Sequence, residues 1–180
     1  MTQRFIPYGR QWIDKAEISA VENVLRSDWI TQGPTIERFE NEIARIVSAK
    51  FAVALATGTA ALHAACFAIG ISPGDEVIVP SLTFAATANC VLYCGGKPVL
   101  CDIDPTTLTV DVAQVEQAVT KKTKAIIAVD FAGHPAHWNE LRALAKKRKL
   151  TLVADSAHAL GARYKGKPVG SLADLTIFSF

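Results

Sequence analysis

The sequence predicts an α/β domain in which a mostly parallel sheet is sandwiched by helices, and three observations carry that expectation. Short apolar runs rich in β-branched residues recur along the chain, as strands buried on both faces require. Helical patterns lie between most of them, as in right-handed βαβ units. Half of the 180 residues are hydrophobic and a fifth are charged, enough apolar matter for one sizeable core.

In chain order, Asp14 with Glu17 reads as a capping box, and Ile18, Val21 and Leu25 follow on one helical face. Residues 27–34 read as a loop stopped by Gly33 and Pro34. A second amphipathic helix then carries Ile36, Phe39, Ile43, Ile46 and Val47. Trp29, inside that loop, is either a plug that packs it down or part of a ligand-facing or subunit-facing surface. Strands are expected at Phe51–Leu55, Glu76–Val79, Lys97–Cys101, Lys124–Val129 and Leu150–Ala154. Helices are expected at Thr59–Ile69, Ala85–Tyr93, Val112–Val119 behind Asp111, and Trp138–Lys146. After Gly161, residues 162–169 read as a hairpin before a last strand at Asp174–Phe178.

Charge and composition narrow the function. A net charge of +2 is too small to argue for nucleic acid. The basic run Lys146–Lys149 sits at a helix end, where positive charge suits the dipole. Residues 1–10 hold no apolar signal region, and no apolar run approaches membrane-spanning length, so the expected location is cytoplasmic. Cys66, Cys90, Cys94 and Cys101 form no Cys-x-x-Cys pair and are expected as free thiols. His134 and His137 lack a second pair of ligands nearby, so no metal site is expected.

Polar residues gather at the expected strand ends. Asp155 follows an apolar strand, with His158 one short turn further on; the acid either caps that turn or faces a cofactor. Thr57-Gly58-Thr59 opens a helix, where amides and hydroxyls can meet a phosphate, although neither a Walker loop nor a three-glycine dinucleotide pattern is present. Phe84 stands at another helix entrance and Ser179 at the end of the last strand. A phosphate seat, an aromatic plate, a carboxylate beside an imidazole and a second hydroxyl would together suit a heteroaromatic phosphate ester with a basic ring nitrogen, such as pyridoxal 5'-phosphate (PLP).

The order of these segments resembles the DegT-type sugar-nucleotide aminotransferases of PLP fold type I. The segments are Thr57–Thr59, Pro80–Asn89, Val129–Gly133, Asp155–Gly161 and Ile177–Phe180, and the likeness covers essentially the whole chain. Residues 6–11, 28–33 and 129–133 look closest to the pseudaminic acid branch. Its members aminate C4 of a UDP-linked 4-keto-6-deoxy-N-acetylhexosamine with L-glutamate as donor. The resemblance implies that residues 1–34 form an N-terminal helix and a substrate or interface loop. Residues 35–180 would be the front half of the PLP-binding large domain, without the C-terminal small domain. It assigns Asp155 to the pyridine nitrogen, His158 to the ring's phenolic oxygen, Phe84 to the ring face, and Thr57, Gly58, Thr59 and Ser179 to the phosphate. Tyr8, Asp28, Trp29, Ile30 and Thr31 would contact the sugar nucleotide, and the full-length enzyme would be a homodimer.

In the family, the lysine that carries the cofactor lies a few residues beyond the Ser-Phe that ends this sequence. Lys165 and Lys167, in the hairpin, and Lys121, Lys122 and Lys124, at a strand start, are poor substitutes. The chain is therefore expected to be the N-terminal part of a longer enzyme and not to transaminate alone. Relatives with histidine in place of that lysine are PLP- or PMP-dependent sugar-nucleotide 3-dehydratases, which is the alternative reading. A further alternative is a non-catalytic fragment that retains only an interface.

Overall fold

Side chains alternate across a pleated strand, and this sheet uses both of its faces. Val77 and Val79 of β1 (Glu76–Pro80), Ala125 and Ile127 of β3 (Thr123–Val129) and Val153 of β4 (Thr151–Asp155) point one way. They pack against Leu62, Ala65 and Cys66 of α3 (Gly58–Ala68) and Cys90 and Val91 of α4 (Ala86–Tyr93). Ile78, Ile126, Ala128, Leu152 and Ala154 point the other way, against Val115 of α5 (Val112–Ala118) and Trp138, Leu141 and Leu144 of α6 (Trp138–Arg148). The continuous apolar runs of the sequence are thus strands covered twice, as expected.

The computed structural model describes residues 10–180, so the expectation for Tyr8 lies outside the described residues. β2 (Lys97–Cys101) and β7 (Leu175–Ile177) complete a five-stranded sheet in the order β2-β1-β3-β4-β7, with every pairing parallel. The chain steps outward from β1 to β2 through α4, then returns through α5 to β3 on the other side of β1. That reversal opens a crevice at the carboxyl ends of β1 and β3. β5 (Arg163–Tyr164) and β6 (Lys167–Pro168) make the expected hairpin. Its two turn residues, Lys165 and Gly166, both have positive φ, the geometry of a type I′ turn.

The first helix, α1 (Lys15–Leu25), opens with the expected capping box: the Ala16 amide donates to Asp14 and the Asp14 amide donates to Glu17. Its apolar face is uncovered, with Ile18, Val21 and Leu25 all exposed. α2 (Pro34–Val47) begins at Pro34 and buries Val47.

One expected strand is absent. Residues 51–55 form no ladder, and Phe51 and Val53 are 76% and 75% exposed. Among the described residues no strand lies beside them; the Ala54 amide donates instead to Glu40 of α2. A short apolar run becomes a strand only where a neighbour supplies its ladder, so the local pattern misleads here.

Candidate active site

All five strands of the large sheet run the same way, so the polar residues that follow them collect at one edge. There a cleft of about 530 Å³ is lined by Thr57, Gly58 and Thr59, by Thr83 and Phe84, by Asp130 and Phe131, by Asp155 and His158, and by Ser179. Every residue expected to hold the cofactor is in that lining.

Asp155 ends β4 and is 6% exposed. A carboxylate so buried needs donors or a cation. The Thr87 hydroxyl donates to Oδ2 at 2.6 Å, and the Ala157 amide reaches Oδ1 at 3.4 Å. Among the described residues no cationic side chain lies within ion-pair distance of it. Thr87 is fully buried and its one proton goes to Asp155, so the 2.7 Å contact between Thr83 and Thr87 places Thr83 as donor to Thr87. The weak Ala157 contact matches a turn-capping role only in part; the other face of the carboxylate is open to the cleft.

α3 starts at the opposite wall. Thr57 is its N-cap and accepts the Ala60 amide at 3.0 Å, while neighbouring amides of the first turn are free to meet an anion. A Cβ on Gly58 would stand 3.1 Å from both Cβ and Oγ of Ser179, so the missing side chain lets the helix start and the last strand end close together. Phe84 is 76% exposed, its ring presented to the cleft rather than packed in the core. His158 is exposed at the mouth, and the turn at Gly133, with φ near 83°, approaches its backbone carbonyl. Among the described residues no lysine lines the cleft: Lys124 instead reaches Asp75 and the Gly70 carbonyl at the opposite edge of the sheet, and Lys165 lies in the hairpin turn.

The loop residues Asp28, Trp29, Ile30 and Thr31 are not brought to this cleft. Trp29 is 61% exposed and borders a separate depression with Gln32, Gly33, Pro34, Ile36, Glu37 and Glu40, so it does not plug the loop. Two residues that the sequence leaves without a role, Thr87 and Asp130, stand inside the segments that carry the family resemblance. Thr87 follows Thr83 by four residues, one helical turn, and that spacing is the available signal. Asp130 is an acid directly after a buried strand, as Asp155 is at the end of one. It is 1% exposed and accepts the Ala136 amide at 2.8 Å, the Trp138 indole at 2.9 Å and the Ser156 hydroxyl at 2.6 Å. Burial outweighs these donors and holds its carboxyl above the usual range, with the Asp155 charge adding to the effect.

The switch point of this doubly covered parallel sheet thus brings together a helix N-terminus, a buried carboxylate with no cationic partner among the described residues, and an exposed aromatic. The chain belongs to the DegT/DnrJ/EryC1/StrS aminotransferase family, which residues 11–180 match. It is similar to Spr1654 of Streptococcus pneumoniae in its PLP form, with a TM-score of 0.93 and 39% identity over 97% of this chain and 48% of that one. It is also similar to PseC of Helicobacter pylori, an aminotransferase of pseudaminic acid biosynthesis, with a TM-score of 0.91 and 33% identity over 97% and 47%. The spore coat polysaccharide biosynthesis protein SpsC of Bacillus subtilis is 44% identical over 98% of this chain and 45% of its own length. The chain thus spans about half the length of these relatives.

Proposed function

We propose that this chain is the cofactor-holding part of a PLP-dependent sugar-nucleotide aminotransferase. It would move an amino group from L-glutamate to C4 of a UDP-linked 4-keto-6-deoxy-N-acetylhexosamine for nonulosonic acid and surface glycan synthesis. The observation that carries the reading is the buried Asp155, which takes hydroxyl and amide donors but, among the described residues, no cation, and faces a cleft that ends at the N-terminus of α3. PseC, an aminotransferase of pseudaminic acid biosynthesis, and SpsC, a spore coat polysaccharide biosynthesis protein, support the substrate class.

PLP supplies an electron sink for proton removal next to nitrogen. The chain's residues make that sink usable. Asp155 would hold a proton on the ring nitrogen, and the Thr87 hydroxyl aims its carboxylate. Thr57, Gly58, Thr59 and Ser179 seat the phosphate, Phe84 covers one ring face, and His158 donates to the phenolic oxygen. Residues 35–180 act as part of the large domain. The loop Asp28–Thr31 lies away from its own cleft, and α1 exposes Ile18, Val21 and Leu25. Both features support a homodimer in which that loop, with Tyr8, serves the partner's sugar nucleotide.

The test is a titration with pyridoxamine phosphate (PMP), followed by its absorbance, for this chain and for D155A. Saturable binding that D155A loses supports the reading. Binding that D155A leaves intact sinks it. Amino transfer by this chain alone would place the reactive lysine within residues 1–180 and overturn its assignment to a part of the enzyme beyond Phe180.

A further inference from the structure

Asp130 has a place in the cleft that the cofactor roles above leave unused. Its carboxylate gathers donors from three directions: the Ala136 amide in the segment before α6, the Trp138 indole on α6, and the Ser156 hydroxyl in the turn after β4. Its own amide donates to the Asp155 carbonyl at 3.0 Å. Ser156 stands between Asp155 and the Ala157-His158 pair, so a 2.6 Å bond to its hydroxyl fixes the turn from which both Asp155 and His158 enter the cleft. The ionisable group that acts on Asp130 is Asp155 on β4. The segment before α6 and α6 itself present only an amide and an indole to its carboxylate, and His158 lines the same cleft.

Resting on the cofactor reading above, we propose that Asp130 is a positioning residue: it anchors the Asp155–His158 turn through Ser156, and its negative charge reinforces the hold of Asp155 on a protonated ring nitrogen. The Asp155 charge raises the proton affinity of the buried Asp130 carboxyl, and a cation placed against Asp155 relieves that repulsion. Asp130 thus works through Asp155 without touching the ligand.

The experiment uses PMP as the probe and reads two quantities: its dissociation constant, and the pH at which the absorbance of the bound form changes as the ring nitrogen loses its proton. D130N keeps the size and an acceptor for the Ala136 amide and Trp138 indole, turns the Ser156 contact into one donated by its amide, and removes the charge. It is expected to shift that midpoint downward by about one pH unit and to weaken binding at alkaline pH about tenfold. S156A keeps the charge and breaks the anchor, and is expected to weaken binding severalfold with little movement of the midpoint. A D130N protein that is merely less stable, with midpoint and affinity unmoved, would mean Asp130 only holds the fold, and the proposal fails. Where D130N does not fold, S156A decides: unchanged affinity overturns the proposal and weakened affinity upholds it. Failure of the wild-type chain to bind PMP removes the cofactor reading and this inference with it, whereas wild-type binding with unaltered variants removes this inference alone.

Discussion

Thr87, inside α4, donates its only hydroxyl proton to Asp155 at the end of β4, across 2.6 Å and 68 positions of sequence. The bond ties the helix on one face of the sheet to the acid at its edge. Replacing Thr87 with Val keeps the shape and deletes the donor. A hydrogen bond to a buried charged group is worth about 1.5–3 kcal/mol. T87V is expected to lose stability of that order in urea unfolding at pH 7 and to bind PMP more weakly. Unchanged unfolding would show that the Asp155 charge is satisfied some other way.

Gly58 offers a test of the phosphate seat. Alanine suits the first turn of a helix better than glycine, yet its Cβ would press on Ser179 at 3.1 Å. G58A is expected to leave thermal stability nearly unchanged while weakening binding of PMP about tenfold, the effect of losing roughly one charge-assisted contact. Pyridoxamine, which lacks the phosphate, should bind both proteins alike.

Asp130 gives a pH dependence with a definite sign. Its folded-state carboxyl lies above the unfolded value near 3.8, so its contribution to stability is complete below that value and is lost as pH rises through the raised one. The melting temperature of D130N minus that of wild type should therefore climb as pH rises from 3.8 and level off once Asp130 is ionised in the folded protein. A flat difference would mean that its donors fully offset burial.

Cys66 and Cys90 lie with their sulfurs 3.5 Å apart, both fully buried and unbonded, and Cys101 is 5% exposed. Burial, and for Cys90 the contact with Cys66, holds the thiols of Cys90, Cys94 and Cys101 above the ordinary range. Native alkylation with iodoacetamide should mark Cys94, the half-buried one, first. Denaturant should release all four. Early labelling of Cys66 would indicate that α3 and α4 open locally.

The parts of this fold legible in sequence are those that a local pattern decides. β1, β3 and β4 read correctly because a run covered on both faces is apolar throughout. The capping box at Asp14 and the N-cap at Asp111 read correctly because a cap needs only its own next three residues. Residues 51–55 have the same local pattern and mislead, since a strand also needs a neighbour that no local pattern reports. The cofactor-facing residues are visible as polar residues at strand ends. Asp130 is visible in the same way and Thr87 through its spacing from Thr83, but what they do is not, because their partners lie 26 and 68 positions away, a closeness that only the closed sheet creates.

The cleft draws on residues from Thr57 to Ser179, and the final strand joins through Val153 to Leu175. Parallel pairing across such separations is slow, because each crossover must close before its contacts form. A ligand that needs Asp155 and Ser179 together therefore recognises only chains in which β7 has paired with β4, and its binding in a refolding experiment is a clock for that docking step. By mass action it also protects that state, by about 2.7 kcal/mol at a hundredfold excess over its dissociation constant.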